Sequence, residues 1–172
     1  MKSVRKFFYV GLLTLLIFSA GCFNGAGAST AEMPDTLQGK YLFSLPDLDG
    51  KSVELKDLLS QHKAVLINFW ATWCPPCREE IPDLIDLYAE NKDRGLLVLG
   101  VDVNQSRTKV ANFVKKHQMN YSILLDKDMA VSNIYHVVGI PTTLLVNPQG
   151  KVLGVYHSFS DELVADVEKA LA

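Results

Sequence analysis

Cys74 and Cys77 stand three residues apart in Trp-Cys-Pro-Pro-Cys. Three residues is close to one helical turn, so two thiols at that spacing can close and open a disulfide. One thiolate attacks a partner's disulfide, the second resolves the mixed disulfide, and the pair can also run in reverse. Half of a zinc site is the competing reading, but it needs two more Cys or His ligands at comparable spacing. The third cysteine, Cys22, lies in an N-terminal leader, and His62, His117, His136 and His157 are scattered singly. The thiols therefore read as redox-active, with no metal and no bound cofactor. A purely structural disulfide is the weaker reading, because a loop of one turn constrains the unfolded chain little.

The flanking residues say how such a pair is held. Ala64 to Trp70, AVLINFW, is an apolar run rich in branched and aromatic residues, as expected of a strand buried on both faces. From Pro75 onward Ile81, Leu84, Ile85 and Tyr88 repeat at helical spacing, with Glu79, Glu80 and Asp83 expected in the first turn. Cys74 is then the N-cap, its sulfur facing backbone N–H groups and the positive end of the helix, which favour thiolate. Pro75 and Pro76 offer no N–H, so the Cys74 thiol pKa is expected to be only mildly depressed, as suits a reductant. Glu80 follows Cys77 by three residues and borders its face, whereas Glu79 lies roughly 200° round the helix. Trp73 is expected to shield the thiols, Trp70 to pack in the core and Pro82 to interrupt one helix hydrogen bond.

The beginning of the chain has a different character. Lys2, Arg5 and Lys6 precede an apolar run from Phe7 to Ala20, which ends at Ser19-Ala20-Gly21-Cys22. That is the pattern of a secretory leader, and it is short for a membrane span, which takes about 20 apolar residues. Small residues running into a cysteine resemble a bacterial lipobox, with Cys22 as the lipid-bearing residue, although Ser19 stands where that motif usually has Leu. An uncleaved anchor is the alternative. Residues 23–38 are Gly-, Ala- and Ser-rich and read as a flexible tether, leaving one domain from 39 to 172. Either anchor places the chain outside the cytoplasm, where disulfides persist. The chain has 17 basic and 19 acidic residues. Without the three leader cations, 14 face 19, a net of −5, and no basic patch suggests nucleic acid.

Within the domain, Tyr41 to Val53 reads as a hairpin turning at Asp49-Gly50, and Leu55 to Leu59 as a helical turn. Arg94-Gly95 ends the long helix, and Leu96 to Val103 is a second buried strand. Ser106 is expected to cap a helix to about Lys116, before a strand at Tyr121–Leu125 and a short helix at Asp128–Tyr135. Thr142–Val146 and Lys151–Tyr156 pair through Asn147-Pro148-Gln149-Gly150, and Ser160 caps a last helix to Leu171. The sum is an α/β domain, a mixed central sheet flanked by helices.

FWATWCPPC, then GIPTTLLVNPQGKV, then a C-terminal helix resemble the thioredoxin superfamily, and within it the TlpA/ResA-like extracytoplasmic thiol-disulfide reductases. The resemblance covers about Gly39 to the end, including the inserted strand-helix segment Leu96–Tyr135. It implies a thioredoxin-like fold and a cis Ile140-Pro141 bond beside the cysteines, with Ile140, Pro141 and Trp73 contacting substrate. Asn68 departs from typical thioredoxins, which carry there a buried Asp that moves the proton of the second thiol. An amide cannot titrate, and Glu80, where ResA-like reductases also have an acid, is the residue expected to serve Cys77 instead. By analogy the partners are protein disulfides, with apocytochrome c foremost, and a membrane thiol carrier of the CcdA/DsbD type as electron donor, the chain acting as a monomer. Two rivals share parts of the pattern. A thiol peroxidase would place its cysteine in T-x-x-C, and a Sco-like copper module would use C-x-x-x-C with a distal His.

Overall fold

The run Ala64–Trp70 becomes a strand in which every residue is buried, as a sequence without polar alternation requires. The computed structural model describes residues 33–172, and the elements there are, in order, β1 (Ser44–Pro46), β2 (Ser52–Glu54), α1 (Leu55–Gln61), β3 (Ala64–Trp70), α2 (Pro75–Asn91), β4 (Leu96–Val103), α3 (Arg107–His117), β5 (Ser122–Asp126), α4 (Ala130–Ile134), β6 (Thr142–Val146), β7 (Val152–Tyr156) and α5 (Asp161–Leu171). The main sheet has the order β5-β4-β3-β6-β7. Strand β3 is parallel to β4 and antiparallel to β6, and β1 and β2 form a separate hairpin.

Alternation along β3 divides the core in two. Leu66 and Trp70 face one side, where Cys77, Ile81 and Leu84 of α2, Val110 of α3, and Leu163 and Val167 of α5 pack. Val65, Ile67 and Phe69 face the other, against Leu55 and Leu59 of α1 and Tyr135 after α4. Both faces are covered, so the sheet is the buried layer of a three-layer sandwich and its strands are fixed in register. Gly95 closes the segment after α2 with φ of 106°, a left-handed conformation that costs glycine little.

Several expectations are corrected in detail. Helix α2 begins at Pro75, so its first turn holds no acid, and Glu79, Glu80 and Asp83 lie further along. Ser106 occupies the N-cap position of α3 without making the side-chain cap bond, whereas Ser160 does accept from the Leu163 N–H at 3.3 Å. Residues 35–37, which the sequence assigns to the tether, pair with the backbone around the turn between β6 and β7. The Leu37 N–H donates to the Gly150 carbonyl at 2.7 Å, the Val152 N–H donates to the Asp35 carbonyl at 2.8 Å, and Leu37 is buried. A leucine with a sheet edge within reach docks there, so backbone pairing is present before Gly39. Cys22 and the leader lie outside the described residues.

Candidate active site

Cys74 is the N-cap of α2, in extended backbone conformation, and its sulfur accepts from the Cys77 N–H at 3.3 Å. That N–H is the third of the helix. The first two positions are Pro75 and Pro76, so this sulfur meets one amide where a cap can draw on two. Cys74 and Cys77 are joined as a disulfide with Cα atoms 5.3 Å apart. Cys74 is 2% exposed and Cys77 1%, so access to the pair is narrow.

Ile140-Pro141 is a cis peptide, and the Ile140 carbonyl oxygen lies 3.6 Å from Cys74 Sγ, where a reduced thiol would find an acceptor. The loop before β6 is held by Thr142, whose hydroxyl donates to the Gly139 carbonyl at 2.7 Å. On the cysteine side, the loop after β3 is clasped by Gln105. Its Oε1 accepts from the Thr72 N–H at 2.7 Å, and its Nε2 donates to Thr72 Oγ1 at 2.9 Å. Both residues are buried, and this two-point clasp fixes the backbone two residues before Cys74. Sequence reading missed Gln105, because a polar residue after a strand gives no sign of what it grips.

Glu80 is 6% exposed and lies on the buried side of α2 with Cys77, while Glu79 is exposed. Its Oε1 accepts from Asn68 Nδ2 at 2.8 Å, and Asn68 Nδ2 also donates to Thr143 Oγ1 at 2.8 Å. Burial pushes the Glu80 carboxyl up to about 7, against the opposing pull of the Asn68 amide and the Phe159 backbone N–H, with Asp83 pushing further upward. An acid poised there can hold or release a proton near neutral pH. The sequence identified Asn68 only as a place where an acid was absent. The structure makes it the donor that orients one.

Trp73, next to the buried Cys74, is 61% exposed. It walls an open groove of about 390 Å³ together with Val103, Asn104, Met129, Val138 and Ile140. Val138 at the rim is wholly exposed. Trp70 packs in the core as expected. Among the described residues, no group of three or more His, Cys, Asp or Glu side chains is placed to hold a metal ion.

The AhpC/TSA family model matches residues 39–155. The thiol-disulfide oxidoreductase ResA of Bacillus subtilis is 37% identical over 156 residues, covering 90% of this chain and 86% of that protein. The crystal structure of the thioredoxin domain of a thiol-disulfide oxidoreductase from Bacteroides vulgatus superposes with a TM-score of 0.70 at 31% identity, over 80% of this chain and 98% of that one. A secreted Mycobacterium tuberculosis disulfide oxidoreductase homologous to E. coli DsbE superposes with a TM-score of 0.67 at 25% identity, over 76% and 97%. With the cysteine pair at the mouth of a helix on this sheet, the chain belongs to the AhpC/TSA family of the thioredoxin superfamily, among the ResA-like thiol-disulfide oxidoreductases.

Proposed function

We propose that this oxidoreductase works as a reductase of disulfides in other proteins, outside the cytoplasm. Cys74 is the attacking thiol, Cys77 the resolving thiol and Glu80 the acid that exchanges a proton with Cys77. The observation that carries this reading is the single amide offered to Cys74 Sγ at the end of α2. With little stabilisation of the thiolate, the reduced dithiol gains less over the disulfide, and the couple leans toward reduction.

Substrate binding follows from the same surface. Ile140 and Pro141 stand where an extended segment can lie along the loop before β6, and Trp73 supplies an apolar wall. Apocytochrome c disulfides are the leading substrate class, and a membrane carrier of the CcdA/DsbD type would return electrons. A lipid on Cys22, or an uncleaved leader, would hold the monomeric domain at the membrane. The basic and then apolar leader supports this, and among the described residues no helix is long and apolar enough to cross a membrane.

The deciding measurement is the reduction potential of the Cys74–Cys77 couple. A value near about −270 mV or lower supports a reductase, and one near about −120 mV makes the protein an oxidant. Cys74→Ser should abolish turnover of insulin disulfides.

A further inference from the structure

Among the described residues, three buried side chains leave polar atoms without a hydrogen-bond partner: Trp70 Nε1, the Tyr121 hydroxyl and both carboxyl oxygens of Asp102. Asp102 is 0% exposed. It pairs in register with Trp70 on β3 and Leu125 on β5, and in-register neighbours point to the same face of a sheet. That face is the one α2 covers. Gly100, two residues earlier on the same face, leaves room there. A Cβ at Gly100 would stand 3.0 Å from Trp70 Nε1 and 3.2 Å from Tyr121 Cε2. An unpaired donor on β3 and an unpaired acid on β4 thus stand side by side on one face of the sheet, at the end nearest the cysteines.

A buried carboxyl without a partner is costly as an anion and tolerable when protonated. Burial pushes Asp102 up to about 7. The Lys109 charge on α3 and the nearby Gln105 backbone N–H, which stands outside hydrogen-bond geometry, pull it down, and Asp126 at the end of β5 pushes it up. Gln105 is also the residue that clasps Thr72, so Asp102 sits three residues from the grip on the cysteine loop.

We propose that Asp102 is a positioning residue for Cys74. Protonated, it leaves the ends of β3 and β4 undisturbed. Ionised, having released its proton to solvent, it draws the free Trp70 indole N–H and the Gln105 backbone N–H toward itself and so shifts the clasp on Thr72. The new negative charge on the α2 side of the sheet also disfavours thiolate at Cys74. The reactivity of the attacking thiol is thereby coupled to a buried acid distinct from Glu80. This rests on Cys74 being the attacking thiol.

The test uses the full chain carrying Trp73→Phe, Glu80→Gln and His117→Gln, so that Trp70 is the one tryptophan and two neighbouring polar side chains are replaced by amides. In the oxidised protein, Trp70 emission should shift with a midpoint near pH 7. In the reduced protein, the rate of iodoacetamide alkylation of Cys74 should fall about threefold below that of a thiol of fixed pKa as pH rises across the same range, the scale of a partly screened like charge. Asp102→Asn should abolish both transitions. Lys109→Gln, at an exposed position, should raise the midpoint, and it decides the matter alone if Asp102→Asn does not fold. A flat emission profile, a midpoint that survives Asp102→Asn, or one unmoved by Lys109→Gln overturns the proposal. A Cys74→Ser variant alkylated as fast as its parent strikes down the attacking-thiol assignment and this coupling with it, whereas the emission midpoint reports Asp102 independently of that assignment.

Discussion

Asn68 Nδ2 donates to Glu80 Oε1 and to Thr143 Oγ1, each at 2.8 Å, so both hydrogens of its amide are committed. The strand supplies a donor and the helix supplies the acid, and neither residue suits the other's place. An acid on β3 would set a second carboxyl against the Glu80 carboxyl, inside a region where neither residue is more than slightly exposed.

Asn68→Asp tests that pairing. Two carboxyls in contact cannot both ionise readily, so the pair should share a proton and titrate in two steps, the upper one above the value near 7 that Glu80 has with Asn68. Loss of the amide donors should destabilise the fold at alkaline pH by roughly 1–3 kcal/mol. Urea unfolding at pH 5 and pH 9 measures it. An equal loss at both pH values would mean that the two side chains have moved apart.

Glu80→Gln should slow thiol-disulfide exchange through Cys77 about a hundredfold near neutral pH, the lower range of general acid–base effects. It should also remove the inflection near pH 7 from the rate profile. Glu79→Gln, on the exposed side of α2, should leave both unchanged. Stopped-flow reduction of the two variants separates the roles. Small and equal effects would leave Glu80 with no part in the chemistry.

The two buried acids also set a direction for stability against pH. Glu80 and Asp102 are both raised to about 7 in the fold, whereas unfolded carboxyls ionise near pH 4. The folded state therefore binds protons that the unfolded chain has released. Their contribution is fully present below about pH 4 and is lost as pH rises through 7. A tenfold difference in proton affinity between the folded and unfolded chain is about 1.4 kcal/mol. Thermal or urea unfolding of the oxidised protein should therefore show stability falling by a few kcal/mol, roughly, between pH 5 and 8. The double variant Glu80→Gln, Asp102→Asn should flatten that slope.

The sheet and the cysteine site were legible because the signals were local. AVLINFW has no polar alternation except Asn68, and Cys-Pro-Pro-Cys sits where a strand pattern gives way to a helical one. Glu80 was legible from helical geometry, since its offset from Cys77 fixes its side of α2. What joins distant segments was not. Nothing in the sequence pairs Gln105 with Thr72, or Asn68 with Thr143, because a hydrogen bond between loops leaves no periodic trace. Asp102 did leave one, as an acid inside the run LLVLGVDV. A strand buried on both faces has no solvent side to give it. The groove that Trp73 lines was not legible either, because its other walls come from residues far along the chain.

The proline insert governs how many amides reach the attacking sulfur. A cap side chain can accept from the second or third helical amide, and here the second belongs to Pro76, leaving the Cys77 N–H at 3.3 Å as the donor. Pro76→Ala restores the missing N–H without touching the fixed φ of Pro75 at the first position. A second donor aimed at Cys74 Sγ should stabilise the thiolate and lower its pKa by about one unit. One unit is about 1.4 kcal/mol, so the reduced form gains by that amount and the couple should become more oxidising by about 30 mV. Thiolate absorbance titration and redox equilibration with glutathione measure the two changes separately. In the parent, the Cys74 pKa should stay above about 5. A parent value below that, or a Pro76→Ala variant whose pKa and potential both stand still, would show that the insert does not set the poise of the pair.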